Sequence, residues 1–144
     1  MENILFLCTG NSCRSVLAEA YMNAAGAGRW QAFSAGSTPT GTVHPMALAT
    51  LKELGLIHTG YRSKSWDEFA GPAALEMDQI VTVCDNAAGE ACPVWPGHPA
   101  TAHWPFPDPA KYQGSEEAVR VHFQEVFAVI KKRLDAFLAP RAND

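Results

Sequence analysis

The apolar run Ile4-Leu5-Phe6-Leu7 is short, unbroken and followed by a turn, the pattern of a strand buried on both faces. Between Ser15 and Ala25, Val16, Leu17, Ala20, Tyr21 and Ala24 recur at helical spacing, and Gly26-Ala27-Gly28 ends that helix. Trp30 to Ala35 predicts a second short strand, and Gly36-Ser37-Thr38-Pro39-Thr40-Gly41 a loop. Pro45 suits the first turn of a second helix, with Ala47, Leu48, Leu51 and Leu54 on one side and Gly55 as its cap. The polar and aromatic stretch from Thr59 to Phe69 reads as a loop entering a short helix. Gln79-Ile80-Val81-Thr82-Val83 is β-branched and brief, a strand ending at Cys84. Asp85 to His98 is small, polar and broken by Pro93, Pro96 and Gly97, so it is expected to be mobile. A last short strand is expected near Ala102-His103-Trp104, with a stiff loop, Pro105-Phe106-Pro107-Asp108-Pro109, at its exit. The strongest helix starts at Ser115, a good N-cap, and carries Val119, Phe123, Val126, Phe127, Ile130, Leu134 and Phe137 at intervals of three and four. Lys131-Lys132-Arg133 should complement its carboxyl end, with Pro140 as its stop.

Alternating strands and helices predict an α/β fold in a single domain, residues 1–140, with 141–144 as a frayed end. At 144 residues the chain can bury a core without metal or disulfide staples. Eleven basic against 15 acidic residues, a net charge of -4, argue against a nucleic-acid surface, so any anion site must be local. No apolar run approaches the ~20 residues of a membrane span, and Met1-Glu2-Asn3 does not resemble a signal peptide. The cytoplasm is therefore the default location. In that reducing compartment Cys8, Cys13, Cys84 and Cys92 read as catalytic, redox or metal-binding rather than as staples.

The candidate chemistry begins at Cys8-Thr9-Gly10-Asn11-Ser12-Cys13-Arg14-Ser15, at a strand's carboxyl end and a helix's amino end. Five residues between Cys8 and Arg14 suffice to curl the backbone into a cup of inward N–H groups, with Gly10 and Asn11 tolerating the unusual dihedrals. Thr9, Gly10, Asn11, Ser12, Cys13 and Arg14 would hold a tetrahedral oxyanion, Arg14 closing over it with a permanently charged fork. The same field acts on Cys8, since a thiol of pKa roughly 8.5 falls to roughly 3.5–7.5 beside a helix N-terminus and a cation. Ser15 can donate its hydroxyl to that sulfur. Ligands of open parallel sheets lie beyond the strands' carboxyl ends, which gathers the cup, the Cys84 to Cys92 segment and Asp108 on one edge. Cys8, Arg14 and Asp108 alone describe phosphoryl transfer through a thiolate, with Asp108 protonating the leaving oxygen. Arg62 and Lys64 either extend the positive field or form a solvated face.

Leu5 to Ser15 together with Asp108-Pro109 resembles the low-molecular-weight protein tyrosine phosphatase fold. Val83 to Pro93 and His103-Trp104 resemble the arsenate reductases built on it. The resemblance spans nearly the whole chain and implies a four-stranded parallel sheet flanked by helices on both faces. It also implies a mechanism, in which Cys8 attacks arsenate held by the loop and Arg14, and Asp108 assists departure of oxygen. Cys84 then attacks Cys8 and expels arsenite, and Cys92 attacks Cys84 to leave a disulfide for thioredoxin. Phosphate or sulfate would mimic the substrate. Seven residues separate Cys84 from Cys92, one more than the resemblance leads one to expect, so glutathione with glutaredoxin stays open as donor. Some members of the family hold potassium under the loop. Asn11, Glu19 and Ser34 match that set, but Ser63-Lys64-Ser65 places a cation where a carboxylate should stand, so no metal is expected. In the resembling loops Cys13 points away, as a small buried residue. No cofactor is expected, and the chain is expected to be a monomer.

Two rivals follow from the same residues. A phosphatase would use Cys8, Arg14 and Asp108 alone, with Trp66, Trp95 and Trp104 as candidate walls for a phenyl ring and Tyr112 the nearest tyrosine to the acid. A binding protein would gather Cys84, Cys92, His98 and His103 around zinc or arsenite, although their spacing matches no compact finger.

Overall fold

Strand β1 (Glu2–Leu7) is an inner strand of a four-stranded sheet ordered β2-β1-β3-β4. Its partners are β2 (Trp30–Ala35) and β3 (Gln79–Thr82), and β4 (Ala100–His103) closes the far edge; all three pairings are parallel. The computed structural model describes residues 1–71, 74–83, 99–109 and 112–139. Being paired on both sides and covered on both faces explains the unbroken apolar run. Ile4 and Phe6 point to one face and Leu5 and Leu7 to the other, none more than 1% exposed.

Helices α1 (Arg14–Ala25), α2 (Pro45–Glu53) and α3 (Glu116–Leu138) pack on one another over the Ile4 and Phe6 face. The row Phe123, Val126, Phe127, Ile130 and Leu134 of α3 is buried there, as its periodicity requires. On the opposite face Leu5, Leu7 and Ile80 meet Trp66 and Phe69 of a short 3-10 helix, Trp66–Phe69. Both faces thus carry helix, though unequally. Side chains cap these elements where the sequence offers them: Ser115 accepts the Ala118 N–H on α3, and Ser65 that of Asp67.

Three expectations are corrected. Leu54 leaves the apolar side of α2 and is 46% exposed, because the helix ends at Glu53 and the chain turns through Gly55 at φ +73°. Lys131-Lys132-Arg133 do not lie in the last turn of α3, which runs on to Leu138. Lys131 pairs with Asp135, and Arg133 lies over the Trp104 ring. Trp66 is buried against the sheet, and Trp104, mostly buried, faces Arg133 of α3, so neither stands at the mouth of the Cys8 turn as a wall for a ring. Among the described residues no helix is long and apolar enough to cross a membrane. The proposed stop at Pro140 and the frayed end, 141–144, lie outside the described residues.

Candidate active site

Leaving β1 at Leu7, the chain turns so that its carbonyls face outward. The Thr9 carbonyl accepts the Thr38 N–H at 2.9 Å, and that of Gly10 accepts the Thr40 N–H at 3.1 Å and the Ser63 hydroxyl at 3.0 Å. The Ser12 carbonyl accepts the His44 N–H at 2.9 Å. A trans peptide holds its N–H opposite its C=O. Carbonyls turned outward therefore aim the N–H groups of Gly10, Asn11 and Cys13 to the inside of the turn, which makes the cup.

The dihedrals divide differently from expectation. Asn11 takes the left-handed conformation, φ 45°, whereas Gly10 is not among the residues with positive φ. At Gly10 space is tight, since a Cβ there would stand 3.3 Å from the Thr40 methyl, which would have to give by a few tenths of an ångström. Asn11 is held in its strained turn from both ends of its amide. Its Nδ2 donates to Ser15 Oγ at 2.9 Å, and its Oδ1 accepts the Lys64 N–H at 2.9 Å. Because Ser15 Oγ accepts that bond, its own proton is left to be donated. Gly36 is a loop residue by its sequence, yet a Cβ there would stand 2.4 Å from the Thr9 carbonyl oxygen and 2.6 Å from that of Cys8.

Helix α1 opens from the cup without a side-chain cap and without an acidic residue in its first turn. Its leading N–H groups and the positive end of its dipole therefore remain for a ligand. Arg14 approaches from the rim, its Nη1 donating to the Phe106 carbonyl at 3.3 Å and its Nη2 lying 3.4 Å from Asp108 Oδ2. Its Nε is buried and has no partner among the described residues, which leaves it as a donor for a bound oxyanion. Asp108 thus reaches the cup from the exit of β4, 94 residues beyond Arg14 in sequence. Cys13 is buried, as its small size suggests, but its sulfur lies 3.9 Å from Asp108 Oδ1 and so borders the acid. Cys8 is 5% exposed at the base of the cup.

Cys84 and Cys92 lie outside the described residues, as do Trp95 and His98. The strand leading to Cys84 is described. Leu7 pairs with Thr82, and the Val83 N–H donates to the Leu7 carbonyl at 2.8 Å, so the residue before Cys84 lies against the residue before Cys8. Beside them Thr82 Oγ1 is 2.7 Å from His103 Nδ1.

Beneath the cup, Glu19 on α1 accepts a hydrogen bond from Ser34 of β2, and Lys64 comes up from the loop before the 3-10 helix. Burial pushes the Glu19 carboxyl up, against the pull of Ser34 and of the Lys64 charge. Burial likewise pushes Lys64 down, with Glu19 opposing. The potassium set does not fit here. The Asn11 oxygen already accepts the Lys64 N–H, Ser34 is engaged with Glu19, and the neighbouring charge is an ammonium. Arg62, the other basic candidate, is exposed and paired with Glu68. A groove of about 470 Å³ lies between the β4 exit and α3 and is lined by Trp104, Phe106, Val129 and Arg133 among others. No cysteine is among its lining residues.

Residues 3–143 match the family model described as low molecular weight phosphotyrosine protein phosphatase. An arsenate reductase of Bacillus subtilis (strain 168) is 40% identical over 139 residues, 95% of this chain and 96% of that protein. A solved arsenate reductase in its phosphate-binding state superposes with a TM-score of 0.75 at 28% identity, covering 95% of this chain and 96% of the other. The arsenate reductase of Archaeoglobus fulgidus gives 0.65 at 32% identity, covering 91% and 98%.

Proposed function

The chain belongs to the low molecular weight phosphotyrosine protein phosphatase family, and on that premise we propose that it reduces arsenate to arsenite through cysteine chemistry. The observation that carries the reading is the pairing of β1 with β3, which starts the segment containing Cys84 beside the strand that delivers Cys8. The names of the similar proteins support the same substrate.

Cys8, as thiolate, attacks the arsenic of an arsenate held by the cup N–H groups and Arg14, and Asp108 gives a proton to the oxygen that leaves as water. Cys84 thiolate then attacks the Cys8 sulfur. The new S–S bond forms as the S–As bond breaks, its electron pair passing to arsenic, which leaves as arsenite. Cys92 attacks the Cys84 sulfur next, freeing Cys8 and leaving a Cys84–Cys92 disulfide. A dithiol protein of the thioredoxin class, or glutaredoxin with glutathione, returns it to two thiols. Tetrahedral phosphate and sulfate compete for the cup. An aryl phosphate fits the reading less well, since Trp66 is buried against Leu5 and Leu7 and Trp104 lies under Arg133 in the groove beside α3, which holds no cysteine.

The test compares two variants in two assays. Cys8→Ser should abolish both arsenate-dependent consumption of reductant and hydrolysis of an aryl phosphate. Cys84→Ser should stop reduction and spare hydrolysis. Equal loss of both activities in Cys84→Ser, or no arsenate-dependent consumption with any thiol donor, would refute the reading.

A further inference from the structure

The basic run on α3 does not serve that helix's carboxyl end, and the reaction at the cup does not use it. Most cations of α3 are committed: Arg120 to Glu53 and Glu117, and Lys131 to Asp135. Lys132 and Arg133 have no carboxylate within ion-pair reach among the described residues. Both are exposed, and with Val129 and Ala136 they stand at i, i+3, i+4 and i+7, on one face of the helix. That face is one wall of the groove at the β4 exit, and the opposite wall includes Trp104 and Phe106, both anchored in the core. The Arg133 guanidinium lies 4.9 Å from the centroid of the Trp104 ring. Such a cation–π contact orders the planar fork without consuming its N–H donors.

Two neighbouring cations over an aromatic floor, with no acid among the described lining residues, select an anion even though the chain as a whole carries a net charge of -4. An inorganic anion would leave the floor uncovered, so the occupant carries an apolar body as well as a charge. The volume, about 470 Å³, is that of a small-molecule site, whereas a stable protein partner covers roughly 800 Å² of surface. We propose that the groove between α3 and the β4 exit binds a small organic carboxylate with an aromatic or branched apolar body. The carboxylate takes paired N–H donors from Arg133, with Lys132 as the second charge, and the body lies against Phe106 and Val129. None of the described lining residues belongs to the cup, so the site goes beyond the proposed function and stands whether or not arsenate is reduced.

The test titrates cinnamate, an aryl carboxylate, into the full chain by calorimetry, with and without saturating inorganic phosphate to fill the cup. With phosphate present one cinnamate should bind per chain, at the affinity seen without it. Cinnamyl alcohol, the same body without the charge, should bind at least about tenfold more weakly. Arg133→Gln should weaken cinnamate about tenfold or more, the effect of losing hydrogen bonds to a charged group. Val129→Trp, which fills the groove from the helix side, should abolish binding. Positions 129 and 133 are exposed, so both variants should melt close to wild type. Absence of cinnamate binding, loss of it when phosphate is present, equal binding of the alcohol, or wild-type affinity in either variant would each overturn the proposal. A dimer in sedimentation that Val129→Trp dissolves would also overturn it, because a second copy of the chain would then cover the groove.

Discussion

Gly36→Ala is the sharpest test of how the cup is held. The added Cβ would sit 2.4 Å from the Thr9 oxygen, 2.6 Å from the Cys8 oxygen and 3.0 Å from the Asn11 nitrogen, all backbone atoms. Residue 36 cannot retreat, because its N–H is bonded to the Lys64 carbonyl and its own carbonyl to the Trp66 N–H, both at 2.9 Å. Ordinary contact starts at 3.4 Å, so the loop at Cys8 and Thr9 must shift by about 1 Å. Forced overpacking of this kind costs about 1–3 kcal/mol. For a domain of this size that lowers Tm by roughly 2–12 °C. The functional loss should be larger than the stability loss suggests, since a misplacement of about 1 Å at a reacting centre costs up to roughly a hundredfold. Calorimetric phosphate binding, arsenate-dependent turnover and thermal melting measure the three quantities. Gly41→Ala is the control: at φ +85° it is strained, but its Cβ would meet nothing within 4 Å, so the melt should fall while phosphate affinity holds. A Gly36→Ala protein with wild-type phosphate affinity and turnover would refute the account of the cup.

Two further outcomes follow from the same geometry. Asp108→Asn should lower turnover by about 10²–10⁴-fold, the range for loss of a positioned acid, while phosphate still binds; equal loss of binding would make Asp108 a brace for Arg14 instead. Tyr61 is pushed up to about 12 by burial, with the Glu19 charge adding to it. Its folded value lies above its unfolded one, so its contribution to stability is complete below pH 10 and is lost as pH rises from there to about 12. The ultraviolet titration of wild type minus that of Tyr61→Phe should show a late phenolate step, which Glu19→Gln shifts down; a difference step at the ordinary tyrosine value would contradict the burial.

Most of the elements are legible in the chain because their causes are local. The run at Ile4 to Leu7, the bounds of β2 and the α3 row are patterns of burial that repeat at the period of the element. The cup was legible from its residue types, and the meeting of Arg14 with Asp108 from the rule about strand ends. What stayed hidden is made by segments remote in sequence. Nothing in the stretch around residue 63 announces that Ser63 and Lys64 would bond Gly10 and Asn11, 53 residues earlier. Nor could Gly36 be told from an ordinary loop glycine without the carbonyls it faces. Trp66 and Trp104 misled for the opposite reason, since an aromatic side chain suits a core as well as a rim. Leu54 follows the helical period, but the helix had already ended.

The parallel pairing of Leu7 with Thr82 does more than close a sheet. It serves as a ruler, because the hydrogen bonds that keep the two strands in step also set where two remote stretches of chain leave the sheet. Slipping that ladder by two residues would preserve every inward-facing side chain, and with it foldability, while moving one starting point by roughly 7 Å relative to the other. An evolving lineage could therefore lose the alignment of those two departure points without losing the fold, and a designer wishing to install it would first have to count rungs.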